Sequence, residues 1–140
     1  MAEEIGSYRA SLCISSKTLS AQCITNKLEI TPSESHEKGS PINKHTLGGK
    51  SRTISSWILD SELEKVTSLD AHIEHLISVV ELGESKFREL STDCKLEIYC
   101  GFFAGNEDDQ GVLFLSSSLL KRLTSVPIDI TVVLYPQTSE

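Results

Sequence analysis

The sequence lacks most of the patterns that mark a known chemistry. No apolar run approaches the ~20 residues needed to cross a membrane. The opening Met1-Ala2-Glu3-Glu4 is acidic where a secretory leader is basic, so a cytoplasmic setting is expected. The four cysteines, Cys13, Cys23, Cys94 and Cys100, include no C-x-x-C pair. Neither a redox pair nor a zinc ribbon is spelled out, and in a reducing compartment all four are expected as thiols. Basic side chains are scarce, 13 against 20 acidic, for a net charge of -7. Residues 1–50 carry six basic and five acidic side chains, a net of +1; residues 51–140 carry seven and fifteen, a net of -8. An acidic surface repels nucleic acid and anionic lipid, which argues against both as partners. It favours a basic protein or peptide, although solubility alone is a sufficient reason for it.

Catalytic and metal motifs are equally thin. No G-x-S-x-G and no H-E-x-x-H occurs. Gly49-Lys50-Ser51 imitates the end of a phosphate-binding loop, but Lys44 stands where the first glycine is required. His72 and His75 sit i, i+3 on a helical stretch without a third or fourth ligand; two surface histidines is the plainer reading. Ser116-Ser117-Ser118 suits helix capping better than nucleophilic chemistry. No catalytic residue, metal ligand or cofactor is assigned, and the balance of features is against an enzyme.

What is present is a strong alternation of elements. The chain has 140 residues, 39% of them hydrophobic and 24% charged, the size and composition of one domain with a core spanning about residues 7–136. Tyr8, Ala10, Leu12 and Ile14 alternate with polar neighbours, as in a half-buried strand. A short helix follows, capped by Ser20 and stapled by Leu19 and Ile24, with Pro32 beyond its end. Residues 32–52 are turn-rich and read as a flexible loop. Ile54 to Asp60 reads as a strand. Leu69, Ile73, Leu76, Ile77 and Val80 form an apolar stripe on a helix capped by Ser68 or Thr67, with Asp70 in its first turn, and interrupted or bent at Gly83; Phe87 and Leu90 continue it. Leu96, Ile98, Cys100 and Phe102 alternate as a strand, Gly105 to Gly111 turns, and Val112 to Leu115 is expected to pair back as a hairpin. A short helix with Leu119, Leu120 and Leu123 ends at Pro127, and Ile128 to Tyr135 is the last strand. This order predicts an α+β fold, a mostly antiparallel sheet with helices on one face, and a ferredoxin-like core with additions is the arrangement expected.

Three places invite a binding role. Glu107, Asp108 and Asp109 form an acidic tip, a natural contact for a basic partner. His36, Lys38, Lys44, His45, Lys50 and Arg52 give the 36–52 loop a local positive charge that suits an anion. Trp57 is the only tryptophan, a residue found more often in a core than on a binding surface.

A succession of short motifs carries a resemblance. Ile24-Thr25-Asn26-Lys27-Leu28 leads to Ile30-Thr31-Pro32; Lys38-Gly39 follows, then Trp57-Ile58-Leu59, the helix Leu69 to Val80, and Ile128-Asp129-Ile130 leading to Tyr135. In that order, from about Tyr8 to Tyr135, the chain resembles the bacterial family catalogued as domain of unknown function forty-two seventy-nine. The resemblance implies a small α+β domain and no assigned activity. It implies that Pro32, Lys38, Gly39 and Trp57 group at one end of the fold, if the recurrent residues mark a site. The segment from Asn43 to Arg52 has no counterpart in it.

The expected function is a small acidic protein-binding module, an immunity- or inhibitor-type protein that neutralises its partner being one form of it. The alternative is a small-ligand or anion-binding domain using the 36–52 loop. Self-association through a sheet edge or the Trp57 face is the third reading.

Overall fold

A computed structural model describes residues 6–42 and 49–137. The elements follow the chain as β1 (Ser7–Ser16), α1 (Ala21–Leu28), β2 (Glu34–His36), β3 (Ser55–Asp60), α2 (Leu69–Leu82), α3 (Glu84–Leu90), β4 (Lys95–Phe103), α4 (Ser117–Leu123) and β5 (Asp129–Tyr135). The five strands make one sheet in the order β2-β3-β1-β4-β5. Only the β4–β5 pair is parallel; the other three pairings are antiparallel.

The first four strands are a ferredoxin-like core. β1 and β2 run parallel with β3 between them, and β3 and β4 run parallel with β1 between them. This is the split βαβ arrangement twice over. The additions are α3, which follows the break at Gly83, and the α4–β5 unit, which extends the sheet beyond β4.

The alternation read from the sequence decides which face is covered. Ala10, Leu12 and Ile14 of β1, Trp57 of β3, and Leu96, Ile98 and Cys100 of β4 point to one side. There they join the α2 stripe of Leu69, Ile73, Leu76, Ile77 and Val80, with Ile24, Phe87, Leu119 and Leu123, in a single core. Each of these large apolar side chains contributes about 1.5–3 kcal/mol by leaving water. The helices therefore lie on one face, and the other face carries Arg9, Ser11, Cys13, Glu97, Tyr99 and Phe103.

The helix ends follow their capping chemistry. Ser20 Oγ accepts from the Cys23 amide at 3.0 Å. The Glu37 carboxylate accepts from the Ala21 and Gln22 amides at 2.7 and 3.1 Å. Three amides that a helix start would leave unpaired are thereby satisfied. Ser116 Oγ does the same for α4, accepting from the Leu119 amide at 3.1 Å.

Three expectations are corrected. The hairpin strand at Val112 to Leu115 does not form; the chain from Ala104 to Ser116 is a loop. The reason is topological, because β4 already pairs with β1 on one edge and β5 on the other. Within the expected loop 32–52, Glu34–His36 pairs with β3 as an edge strand, and Pro41 bridges Ser51. His72 is not on the surface: it is 1% exposed. It lies i+3 from Leu69 and i-4 from Leu76, at the margin of the apolar stripe, and its Nδ1 meets Ser61 Oγ at 2.5 Å.

Candidate functional site

The residues singled out from the sequence do not converge on one site. Trp57 is 0% exposed, wholly within the core, and its Nε1–H donates to Thr25 Oγ1 at 3.0 Å. It holds α1 on β3 and presents no surface.

Lys38 and Gly39 follow β2 at the end of the sheet where Ser16 pairs with Ser55. The Lys38 amide donates to Ser55 Oγ, and its Nζ donates to the Lys17 carbonyl at 3.1 Å. Gly39 has φ 90°, a left-handed conformation that an L side chain rarely adopts. Its amide donates to the Arg52 carbonyl at 2.8 Å, which turns the chain back toward β3. Pro32 lies at the other end of β2, since the Ser33 amide donates to Ile58 O and Ser33 Oγ accepts from the Asp60 amide. Pro32 and Lys38 thus flank opposite ends of a three-residue strand, and the implied grouping at one end is not what the fold builds.

The positive loop is also partly spoken for. His36 Nε2 lies 2.9 Å from the Glu34 carboxylate, and the Lys38 ammonium is bonded as above. After Ser51 the chain enters a strand, not a helix, so the phosphate-loop context is absent. Lys44 and His45 lie outside the described residues.

The acidic tip lies at the opposite end of the sheet from Lys38. It follows Phe103, which pairs with Ser7 and Tyr135. Its three acids have different roles. Glu107 and Asp108 are exposed. Asp109 is half-buried and turned inward: its Oδ2 accepts from the Gly105 amide at 2.9 Å, closing the turn.

Beyond the tip, the loop presents what sequence periodicity did not reveal. Val112, Leu113 and Phe114 are all exposed, Val112 at 67% and Phe114 at 63%. The loop is tied down at two points. Tyr8 Oη accepts from the Val112 amide at 3.3 Å, and Gly111 packs directly on the Phe102 ring. The neighbouring β5 is the sheet's edge, and Val132, Leu134 and Tyr135 are exposed along it. The Ala104 amide donates to the Tyr135 carbonyl at 3.0 Å, so the loop departs from the very end of β5. The loop thus leaves the sheet beside the end of β5 and runs on toward β1 and α2, where Phe114 lies with Asp70 and Glu74. An alternating pattern is equally the mark of a covered strand, which is why this exposure was not legible.

Among the described residues nothing pairs with this edge. Sheet edges are normally blunted by lysines, prolines, bulges or shortness. β5 is seven residues long, and its one charged residue is Asp129. Its unpaired amides and carbonyls offer a template for an added strand.

Burial quiets three of the thiols. Burial pushes Cys13 and Cys100 up to about 11, with Glu97 and Asp60 adding to the effect on Cys13. Burial also raises Cys94, which is half-buried and no more open than Cys13 or Cys23. Among the described residues, no three histidine, cysteine or acidic side chains gather as a metal centre, and no helix is long and apolar enough to cross a membrane.

No curated protein and no solved structure matches the chain. A family model does, over residues 6–137: the chain belongs to the family described as a domain of unknown function, DUF4279.

Proposed function

We propose that this domain is a protein-binding module, and that its site is the open edge of β5 together with the loop from Ala104 to Ser116. The partner presents an extended segment, apolar at alternate positions, with basic residues placed to reach Glu107 and Asp108. Strand addition supplies main-chain hydrogen bonds, and the exposed side chains supply selectivity. The observation that carries this reading is the seven-residue edge strand with a single charge, along which Val132 and Leu134 are exposed.

Charge selects among occupants. The chain carries -7 overall, which opposes a second copy of itself and favours a basic partner through faster encounter. A cytoplasmic immunity- or inhibitor-type role, in which the domain covers a functional surface of its partner, is the form we favour. The acidity, the four free thiols and the exposed apolar loop support it.

The test is affinity capture with the tagged domain from extract of its own host at low and high salt. Three baits are compared: the unaltered chain, Leu134→Lys, and the double variant Glu107→Lys with Asp108→Lys. One stoichiometric basic protein, weakened by salt and lost from both altered baits, is the expected result. Capture that ignores salt and both variants overturns the proposal, as does no capture at either salt. Dimerisation of the purified domain, abolished by Leu134→Lys, would replace it with self-association.

A further inference from the structure

A second site is built where the sheet is interrupted. After β3, the chain from Ser61 to Lys65 continues beside β1. The Ser61 amide donates to Ala10 O at 2.9 Å, and the Tyr8 amide donates to Lys65 O at 2.7 Å. Between these two hydrogen bonds β1 advances two residues and the facing segment advances four. The extra residues bulge away from the ladder, a distortion that recurs beside functional sites. The bulge opens a cleft of about 450 Å³, within the range of small-ligand sites. Arg9, Ser11 and Tyr99 line it from the helix-free face, Lys65 and Ser61 from the bulge, and His72 from α2.

The charges in this cleft are unevenly engaged. Its two carboxylates already have donors: Asp60 Oδ1 accepts from Ser11 Oγ at 2.6 Å, and Glu34 Oε1 lies 2.9 Å from His36 Nε2. Its two cations have no acceptor among the described residues. The Arg9 guanidinium lies 5.3 Å over the Phe103 ring, which itself stacks on Tyr135 at 4.4 Å. Stacking fixes the plane of the guanidinium and leaves its N–H fork free, the geometry suited to a carboxylate.

His72 closes the cleft from the helix side. It is buried, its Nδ1 is taken by Ser61, and its Nε2 has no hydrogen-bond partner among the described residues. Nε2 is closed off from the cleft on the side of the Glu64 and Thr67 carbonyls, so the ring acts on the cleft through Ser61, whose hydroxyl its Nδ1 holds.

We infer that this cleft binds a small carboxylate that also carries a hydroxyl or amino group. Arg9 and Lys65 hold the carboxylate, and the Ser61 hydroxyl, held in place by His72, meets the second polar group. The cleft meets the β5 strand only through Tyr135, which stacks on Phe103 and bonds Tyr99; the inference does not rest on the strand-addition reading.

Thermal unfolding and ligand-titrated NMR on the intact chain test it, with lactate, malate, glutamate and citrate as probes and chloride at matched ionic strength as control. At least one probe should give a saturable shift that perturbs the His72 ring resonances. Arg9→Gln and Lys65→Gln should each weaken that binding about tenfold or more, and Lys95→Gln, outside the cleft, should leave it unchanged. Arg9 and Lys65 are exposed, so these variants keep the fold. No saturable response to any probe overturns the inference, as does equal affinity in Arg9→Gln and Lys65→Gln.

Discussion

Trp57 and Thr25 share a hydrogen bond, Nε1–H to Oγ1 at 3.0 Å, that ties β3 to α1 from inside the core. The indole has no other polar atom to satisfy, so this one acceptor makes its complete burial tolerable. Trp57→Ala should therefore destabilise the domain by about 3–5 kcal/mol, the usual cost of deleting a fully buried aromatic. Trp57→Phe should cost less, because it removes the donor while leaving most of the volume. Urea denaturation followed by circular dichroism checks both, and a Trp57→Ala variant as stable as the parent would contradict the packing described.

Glu37 makes a pH-dependent contact. Its carboxyl is held below the ordinary glutamate value, chiefly by the Ala21 amide and further by the Gln22 amide and Ser55. The folded value is thus lower than the unfolded one. The contribution is fully present above the ordinary carboxyl range and is lost as pH falls through the folded value. Glu37→Gln should lower stability at pH 7 by about 1 kcal/mol, a capping-sized effect reduced by exposure. The gap to the parent should close on acidification below about pH 4. A gap that stays constant from pH 7 to pH 3 would show that the charge is not what caps α1.

His72 shifts in the same sense for a different reason. Burial disfavours its charged form and lowers its pKa, with His75 assisting and the Glu64 and Thr67 carbonyls opposing. A histidine with a depressed folded value keeps its stabilising effect above the unfolded value of about 6.5. That effect is lost as pH falls from there toward the folded value. The His72 ring resonances should titrate below the normal histidine range, and the midpoint of thermal unfolding should begin to fall under pH 6.5. A ring that titrates at or above 6.5 would contradict its burial.

Legibility from sequence divides along one physical line. Elements whose periodicity is set by burial on one face were readable: β1 by Ala10, Leu12 and Ile14, and α2 by its stripe from Leu69 to Val80. So were elements set by local chemistry, such as the Ser20 cap and, to within one serine, the Ser116 cap; whether Gly83 bends or breaks the helix was not. What depended on sheet neighbours was not. Val112 to Leu115 has strand composition, but β5 occupies the edge it would need. Glu34–His36 lacks a strand's apolar pattern because a two-sided polar edge strand has no face to bury. His72 was placeable by its spacing to Leu69 and Leu76, had the margin of the stripe been counted with its centre. The two surfaces proposed here are both tertiary: one is a strand edge left open by topology, the other a bulge defined by two backbone hydrogen bonds.

Gly111 offers a way to separate fold from binding surface. A Cβ built there would approach the Phe102 ring at 2.7 Å, far inside contact distance. Phe102 is itself nearly buried and paired with Leu134 across the β4–β5 ladder, so the ring has little room to retreat. Gly111→Ala should therefore move the loop rather than the ring, displacing Val112 from Tyr8 and Phe114 from its place beside α2. Because these side chains are already exposed, the core should keep most of its stability, with a loss of about 1 kcal/mol or less. Partner capture, in contrast, should fall as it does for Leu134→Lys. Amide exchange across β4 and the capture assay together decide the matter: protected β4 amides with lost capture place the binding role on the loop. Protected amides with full capture would confine the interface to the strand edge and the acidic tip.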